Sequence, residues 1–330
     1  MTQSGHGKTM SDNTSTQNQI TLFKNYIAIA RPDHWFKNIF MLPGIALALT
    51  MGGQSLDQGI IVNIILAIIS TCLIASANYT INEWLDAEFD KFHPVKCNRP
   101  SVAGGLSAFW VYTQWTILSV AGLSIAYTLG AHFLAYSAAL LIMGVLYNVK
   151  PIRTKDRIYM DVLSESINNP LRLMLGWTAV ISNVIPPSSI LFAYWMGGAF
   201  LMAIKRYSEF RYIGDPERAG LYRRSFRHYT EDTLMLSAFF YALTSAFFFG
   251  VFLIKYKVEF LLTVPFLAFL FVWYMAIGMR EDAVTQRPEK LYQERRFMAY
   301  LVLLAILVAM AFFIDLPWLD FLINEQVLGE

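Results

Sequence analysis

Between Asn82 and Pro100 the chain sets out Asn82-Glu83-x-x-Asp86-x-x-x-Asp90 and then His93-Pro94-x-Lys96-x-x-Arg99-Pro100. If the preceding helix runs on, Asn82, Asp86 and Asp90 recur every four residues and form one stripe, with Glu83 on its flank. Like charges at that spacing repel by a few tenths of a kcal/mol, roughly, unless a cation sits on them. Oxygen donors without His or Cys suit a hard divalent ion such as Mg2+, which takes one or two carboxylates and completes its shell with substrate phosphates and water. The bland alternative is a solvated helix end of mixed charge. Pro94 and Pro100 weigh against it, because they stop the helix and set a loop that can bring Lys96 and Arg99 back toward the acids.

Two further clusters carry the same chemistry. Tyr147-x-x-Lys150 is followed by Arg153, Lys155 and Arg157, and then by Asp161-x-x-x-Glu165 on one helical face. Arg172 lies two turns beyond Glu165 on that face. It is a functional cation inside a span, unless Glu165 and Arg172 form a structural ion pair, with each other or from either to another helix. Asn168-Asn169-Pro170 predicts a kink with freed carbonyls. The third cluster, Lys205-Arg206-Tyr207-Ser208-Glu209, leads into Arg223 to Tyr229, which reads as an amphipathic basic helix. There Arg223, Arg224 and Arg227 are expected to meet anionic lipid headgroups, whereas Lys205 and Arg206 are expected to bind phosphate. Histidines 6, 34, 132 and 228 support nothing by themselves, and His93 is either a site residue or a shaper of its loop.

The elements that must hold these clusters are membrane helices. Over 330 residues the chain is 56% hydrophobic and 15% charged, against about 25% charged in an average soluble domain. Apolar windows of roughly 20 residues fall near 38–53, 59–82, 106–129, 131–149, 158–182, 187–204, 231–254, 258–279 and 297–317, which predicts an all-α polytopic bundle of nine spans. Of the 26 Lys and Arg, all but Arg172, Lys255 and Lys257 fall before the first window or in alternate loops. That asymmetry puts the N-terminus in the cytoplasm and the C-terminus outside. The net charge of +2 is therefore a topology signal, and no basic, aromatic groove points to nucleic acid. Residues 1–20 read as a disordered cytoplasmic tail and 21–330 as one transmembrane catalytic domain. Cys72 and Cys97 are expected to be reduced thiols.

These motifs resemble the UbiA superfamily of intramembrane prenyltransferases, nine-span bundles with two acidic motifs. Asn82, Asp86 and Asp90 match its N-D-x-x-D-x-x-x-D, with Glu83 in place of an aspartate. Asp161 and Glu165 match its D-x-x-x-D, with Glu for the second Asp. Within the superfamily the chain looks closest to the decaprenyl-phosphate phosphoribosyltransferase branch. Arg31-Pro32-x-x-Trp35-x-Lys37-Asn38, His93-Pro94-Val95-Lys96 with Arg99-Pro100, Tyr147-x-x-Lys150 and Lys205-Arg206-Tyr207-x-Glu209 carry that likeness. It implies a Mg2+-dependent transfer of 5-phosphoribose from phosphoribosyl diphosphate to a polyprenyl phosphate in the cytoplasmic (inner) membrane, feeding cell-wall biosynthesis. Asn82, Asp86 and Asp90 would be the metal-binding and catalytic set, supported by Glu83. Asp161 and Glu165 would serve a second metal or the ribose hydroxyls, with Tyr147 on the ribose. Lys37, Lys96, Arg99, Lys150, Lys205 and Arg206 would hold phosphates. Membrane lipids are the other expected partner, nucleic acid is not, and homo-oligomerisation is left open.

Two rivals stand beside this reading. A UbiA-type enzyme joining a prenyl diphosphate to an aromatic acceptor would use the same acidic stripe but not the extra cations. A lipid or ion transporter would place its polar groups near the bilayer midplane, whereas here they gather toward one side.

Overall fold

The computed structural model describes residues 21–322 except 257, 282 and 287. The expected tail, 1–20, and the expected outer terminus lie outside the described residues. Among the described residues every regular element is helical. In chain order the long elements are α1 (Leu42–Met51), α2 (Gln58–Asp90), α3 (Ala108–Thr128), α4 (Ala131–Asn148), α5 (Met160–Ser166), α6 (Asn168–Thr178), α7 (Ser188–Ile213), α8 (Glu231–Tyr256), α9 (Val264–Gly278) and α10 (Arg295–Phe313). A 3-10 segment, Pro32–Met41, leads into α1. Each of the nine apolar windows holds helix, but only five helices are by themselves long and apolar enough to cross a membrane. The count of nine stays an expectation.

Asp57 starts α2 by accepting the backbone N–H of Ile60 at 2.7 Å. With 33 residues α2 is about 50 Å long, against a hydrocarbon layer of about 30 Å. Its last turns, which carry Glu83 to Asp90, therefore extend past the apolar window. Similarly, α7 has 26 residues and carries Lys205 to Glu209 in its last turns. The kink expected at Asn168-Asn169-Pro170 is a break at Ile167, between α5 and α6, and Pro170 occupies the first turn of α6, where its missing N–H costs nothing.

The core has two halves. One packs Met41, Ile45, Ile74, Phe133, Leu140 and Leu175 between α1, α2, α4 and α6. The other packs Met196, Phe200, Tyr241, Tyr274 and Phe297 between α7, α8, α9 and α10. Small residues let α1 and α6 close on each other: a Cβ on Gly44 would lie 2.0 Å from the Leu173 carbonyl oxygen, and one on Gly176 would lie 2.1 Å from that of Met41. This crossing fixes the Pro32–Met41 segment, with Lys37 and Asn38, against α6. Outside, large apolar side chains such as Leu236, Phe240, Phe247 and Val272 are exposed, as a lipid-facing surface requires. The chain is a membrane protein.

Candidate functional site

The lysine- and arginine-bearing loops fold onto the end of the bundle where α2 and α7 overshoot, and two linked clusters result. In the first, Asn82 Nδ2 donates to Asn148 Oδ1 at 2.5 Å, and Lys155 Nζ donates to the same oxygen at 2.7 Å. Lys155 Nζ also donates to Asp86 Oδ1, as does Arg153 Nη2 at 3.0 Å. Arg153 is held in turn by the Asn148 carbonyl at 2.9 Å and by Asp156 at 3.2 Å. The chain that delivers both cations turns sharply, with φ of 31° at Arg153 and 61° at Tyr159, left-handed values that non-glycine residues seldom adopt. One helical turn below Asp86, Asp90 accepts Arg99 Nη1 at 2.6 Å.

The second cluster centres on Arg206, which is 1% exposed. Its Nη2 donates to Glu165 at 2.5 Å and to the Tyr147 hydroxyl at 3.1 Å, its Nη1 donates to Glu209 at 3.3 Å, and its Nε lies 3.4 Å from Asp161. Tyr147 in turn donates to Glu165 at 2.7 Å. Asp161 accepts Tyr229 OH at 2.8 Å and Ser225 Oγ at 3.1 Å, and Arg223 Nη1 reaches Tyr147 OH at 3.2 Å. Glu209, also 1% exposed, accepts Lys96 Nζ at 2.5 Å and Tyr222 OH at 2.9 Å. Tyr207, Tyr222, Phe226 and Tyr229 pack the 214–230 loop onto this end.

Protonation follows from these contacts. Burial works against charge on Lys96, but Glu209, Tyr222 and Asp90 together outweigh it and hold the ammonium above the ordinary lysine value. Burial likewise opposes charge on Arg99, and Asp90 more than restores it. Lys155 goes the other way, because burial and Arg153 overcome the pull of Asp86 and bring it down to about 8. Burial also lowers His93, whose Nδ1 accepts the backbone N–H groups of Val95 and Lys96 at 3.1 and 3.2 Å. The neutral ring thus carries its proton on Nε2, 3.6 Å from Glu209. His93 shapes its loop and ties it to α7.

The structure brings together Asn82, Asp86, Asp90, Lys96, Arg99, Tyr147, Asp161, Glu165 and Arg206 of the expected site. Glu83 is buried on the flank of the stripe and its Oε1 has no partner. Lys37 sits over the Tyr79 ring at 5.4 Å. Lys205 makes no ion pair among the described residues and faces Glu165 and Lys37 at longer range. Lys150 stands apart, 63% exposed and 3.8 Å from Glu88, and Arg153 and Lys155 occupy the place expected of it.

One expectation is corrected and one open alternative is resolved. Arg223 to Tyr229 is not a helix but a 3-10 turn, Arg224–Arg227, and Arg223 points inward instead of toward lipid, because Asp161 and the Tyr147 hydroxyl draw it. Of the structural pairs left open for Glu165 and Arg172, the one found runs from Glu165 to another helix, at Arg206 on α7, with Tyr147 on the same carboxylate, and Arg172 takes no part in it. Sequence reasoning also left unassigned Arg153, Lys155, Glu209 and Tyr222. For Glu209 the signal was its place on the same turn as Arg206; for Tyr222 there was none.

Could this end hold Mg2+? Among the described residues no three carboxylate, imidazole or thiol side chains converge into a ready-made cage. Mg2+ does not need one, since it usually takes one or two carboxylates and leaves the rest of its shell to phosphates and water. Asp86 and Asp90, the Asn82 amide and the orphaned buried Glu83 oxygen are the right donors, and the residues fit the ion.

A helical membrane bundle with paired acidic motifs under a lid of cations is the architecture of an intramembrane transferase. The chain belongs to the UbiA prenyltransferase family, whose model matches residues 39–301, and so to the transferases. Among its relatives, the decaprenyl-phosphate phosphoribosyltransferase of Mycolicibacterium smegmatis is 29% identical over 215 residues, 64% of this chain and 65% of that protein. The chain therefore matches somewhat less than two thirds of that relative's length. The enzyme of the same name from Corynebacterium glutamicum is 30% identical over 241 residues, 71% of this chain and 68% of that one. A UbiA homolog from Archaeoglobus fulgidus, solved bound to GPP and Mg2+, shares the fold at 20% identity, with a TM-score of 0.64 over 87% of this chain and 98% of that one.

Proposed function

We propose that the protein transfers 5-phosphoribose from phosphoribosyl diphosphate to a polyprenyl phosphate at the inner membrane, with the acid-bearing end cytoplasmic and residues 21–330 forming one catalytic domain. The observation that carries this reading is the convergence of Arg99, Arg153, Lys155, Arg206 and Arg223 on the two acidic motifs, with Lys96 held beside them by Glu209. A prenyl diphosphate has phosphate at one end only, whereas phosphoribosyl diphosphate has it at both and calls for more cations. The names of the relatives point the same way.

In this reading Asn82, Asp86 and Asp90, backed by Glu83, hold Mg2+, which when bound neutralises charge on the departing diphosphate. Arg153, Lys155 and Arg99, already beside those acids, take phosphate oxygens, and Arg206 and Arg223 order Asp161, Glu165 and Tyr147 for the ribose hydroxyls. An acceptor phosphate oxygen forms the new bond to ribose C1 as the C1–O bond to diphosphate breaks. The acceptor is already an anion near pH 7, so no general base is needed. Positioning and charge neutralisation do the catalytic work.

The test is protection against heat. With Mg2+ present, phosphoribosyl diphosphate should raise the melting temperature at lower concentration than geranyl diphosphate does. Protection by geranyl diphosphate alone would transfer the protein to the rival reading, in which a prenyl diphosphate is joined to an aromatic acceptor.

A further inference from the structure

Arg172 is the buried cation that the clusters above do not use. It lies on α6, 7% exposed, among Leu171, Leu173 and Leu175. Its Nε donates to Asn38 Oδ1 at 3.0 Å and its Nη1 to the Asn168 carbonyl at 3.3 Å. Nη2 has no hydrogen bond, and no carboxylate lies within 4.0 Å of the guanidinium, among the described residues. Beside it, Asn168 Oδ1 is buried without a partner. Asn38 is itself fixed, donating to Cys72 Sγ at 3.1 Å.

An arginine keeps its proton in proteins, so it cannot relieve its burial by becoming neutral. A charge left unpaired within a membrane protein costs several kcal/mol, roughly, and such residues mark ligand sites. The contrast with its surroundings is sharp: Lys96, Arg99, Arg153, Lys155, Arg206 and Arg223 each have a carboxylate within 4.0 Å. Arg172 has only neutral acceptors, and its deficit is one negative charge.

The geometry points to Arg172 as the residue that binds the phosphate monoester of the lipid acceptor, held by Nη2 with Asn38 fixing the guanidinium plane. This rests on the reading under Proposed function. Two features favour the acceptor's phosphate over the donor's 5-phosphate. Arg172 is seven residues past Glu165, roughly 10 Å deeper into the bundle at helical rise, on a helix whose flanking Leu171, Leu173 and Leu175 are buried in the apolar core, so its phosphate site would lie below the paired cations and nearer the apolar interior that a lipid chain occupies. A soluble sugar phosphate would instead meet the paired cations at the open end first. The assignment also gives the site its selectivity, because a neutral aromatic acceptor would leave the Arg172 charge unbalanced.

The experiment compares binding of farnesyl phosphate and farnesol to the full-length protein in nanodiscs, for the wild type, Arg172→Gln and Arg172→Lys. Loss of one charge-assisted contact should weaken farnesyl phosphate binding about 10- to 100-fold in the Gln variant. Arg172→Lys should recover much of that loss, farnesol binding should stay unchanged, and protection by phosphoribosyl diphosphate should be intact. Unaltered farnesyl phosphate binding in Arg172→Gln overturns the assignment. So does a loss confined to the sugar phosphate, which would give the residue to the donor, or equal competition by phosphatidic acid, which would make it a general headgroup site. Should Arg172→Gln fail to fold, a wild type that does not prefer the phosphate over the alcohol overturns it equally. Arg172-dependent binding without any phosphoribosyl transfer by the wild type would leave this site standing and remove the proposed function.

Discussion

Replacing Glu209 by glutamine tests how the cationic lid is held. The carboxylate is 1% exposed and receives Lys96 at 2.5 Å, Tyr222 at 2.9 Å and Arg206 at 3.3 Å. Glutamine keeps the volume and one acceptor but removes the charge. Arg206 would retain Glu165 and Asp161, so the loss falls mainly on Lys96, for which Glu209 is the sole carboxylate within 4.0 Å among the described residues. A charge-assisted hydrogen bond contributes about 1.5–3 kcal/mol, and breaking a buried pair costs about 3–5 kcal/mol. The Lys96 side chain is 22% exposed, so water relieves part of this and about 2–3 kcal/mol is expected. For a chain of this size that corresponds to a melting temperature lower by roughly 3–4 °C in detergent. Lys96→Met should cost a similar amount, and the double variant should fall short of the sum by about 1–2 kcal/mol. An unchanged melting temperature in Glu209→Gln, or strict additivity, refutes the argument that this carboxylate holds the 93–99 loop to α7.

Three further outcomes are expected. Lys150→Ala should leave melting temperature and transfer rate near wild type, since the residue is 63% exposed and touches only Glu88; a large loss of rate would return it to the phosphate site. The kcat/KM profile should fall as pH rises through about 8, because burial brings Lys155 down to that value and deprotonation removes its charge from beside Asp86; in Lys155→Arg the alkaline limb should move to higher pH, and a limb left in place assigns it elsewhere. Gly176→Ala should destabilise by about 1–3 kcal/mol, read by a heat scan, because the added methyl would meet the Met41 carbonyl at 2.1 Å; a neutral result would mean that α1 and α6 can part at no cost.

The acidic stripe was legible because helical period alone puts Asn82, Asp86 and Asp90 on one face, and the length of α2 carries them past the apolar layer. Helix positions followed from hydropathy for the same reason, that lipid leaves the backbone little else to adopt. Pairing was not legible. Which cation meets Asp86 depends on the left-handed turns at Arg153 and Tyr159, which bring Lys155 in and leave Lys150 in solvent. Local pattern at 223–229 read as amphipathic, yet Asp161, more than 60 residues away, draws Ser225, Tyr229 and Arg223 inward. Which of the pairs open to Glu165 and Arg172 would form was likewise hidden, because it is Arg206 on α7 that takes Glu165, at 2.5 Å. In each case a contact distant in sequence overrode a sound local reading.

The central claim is tested most directly by incubating the purified protein and Mg2+ with labelled phosphoribosyl diphosphate and a polyprenyl phosphate, then measuring label in the organic phase. Metal-dependent transfer in the wild type, abolished in an Asp86→Ala variant that remains folded in detergent, is the predicted result. Undiminished transfer by that variant, or turnover only of a prenyl diphosphate with an aromatic acceptor, would contradict it.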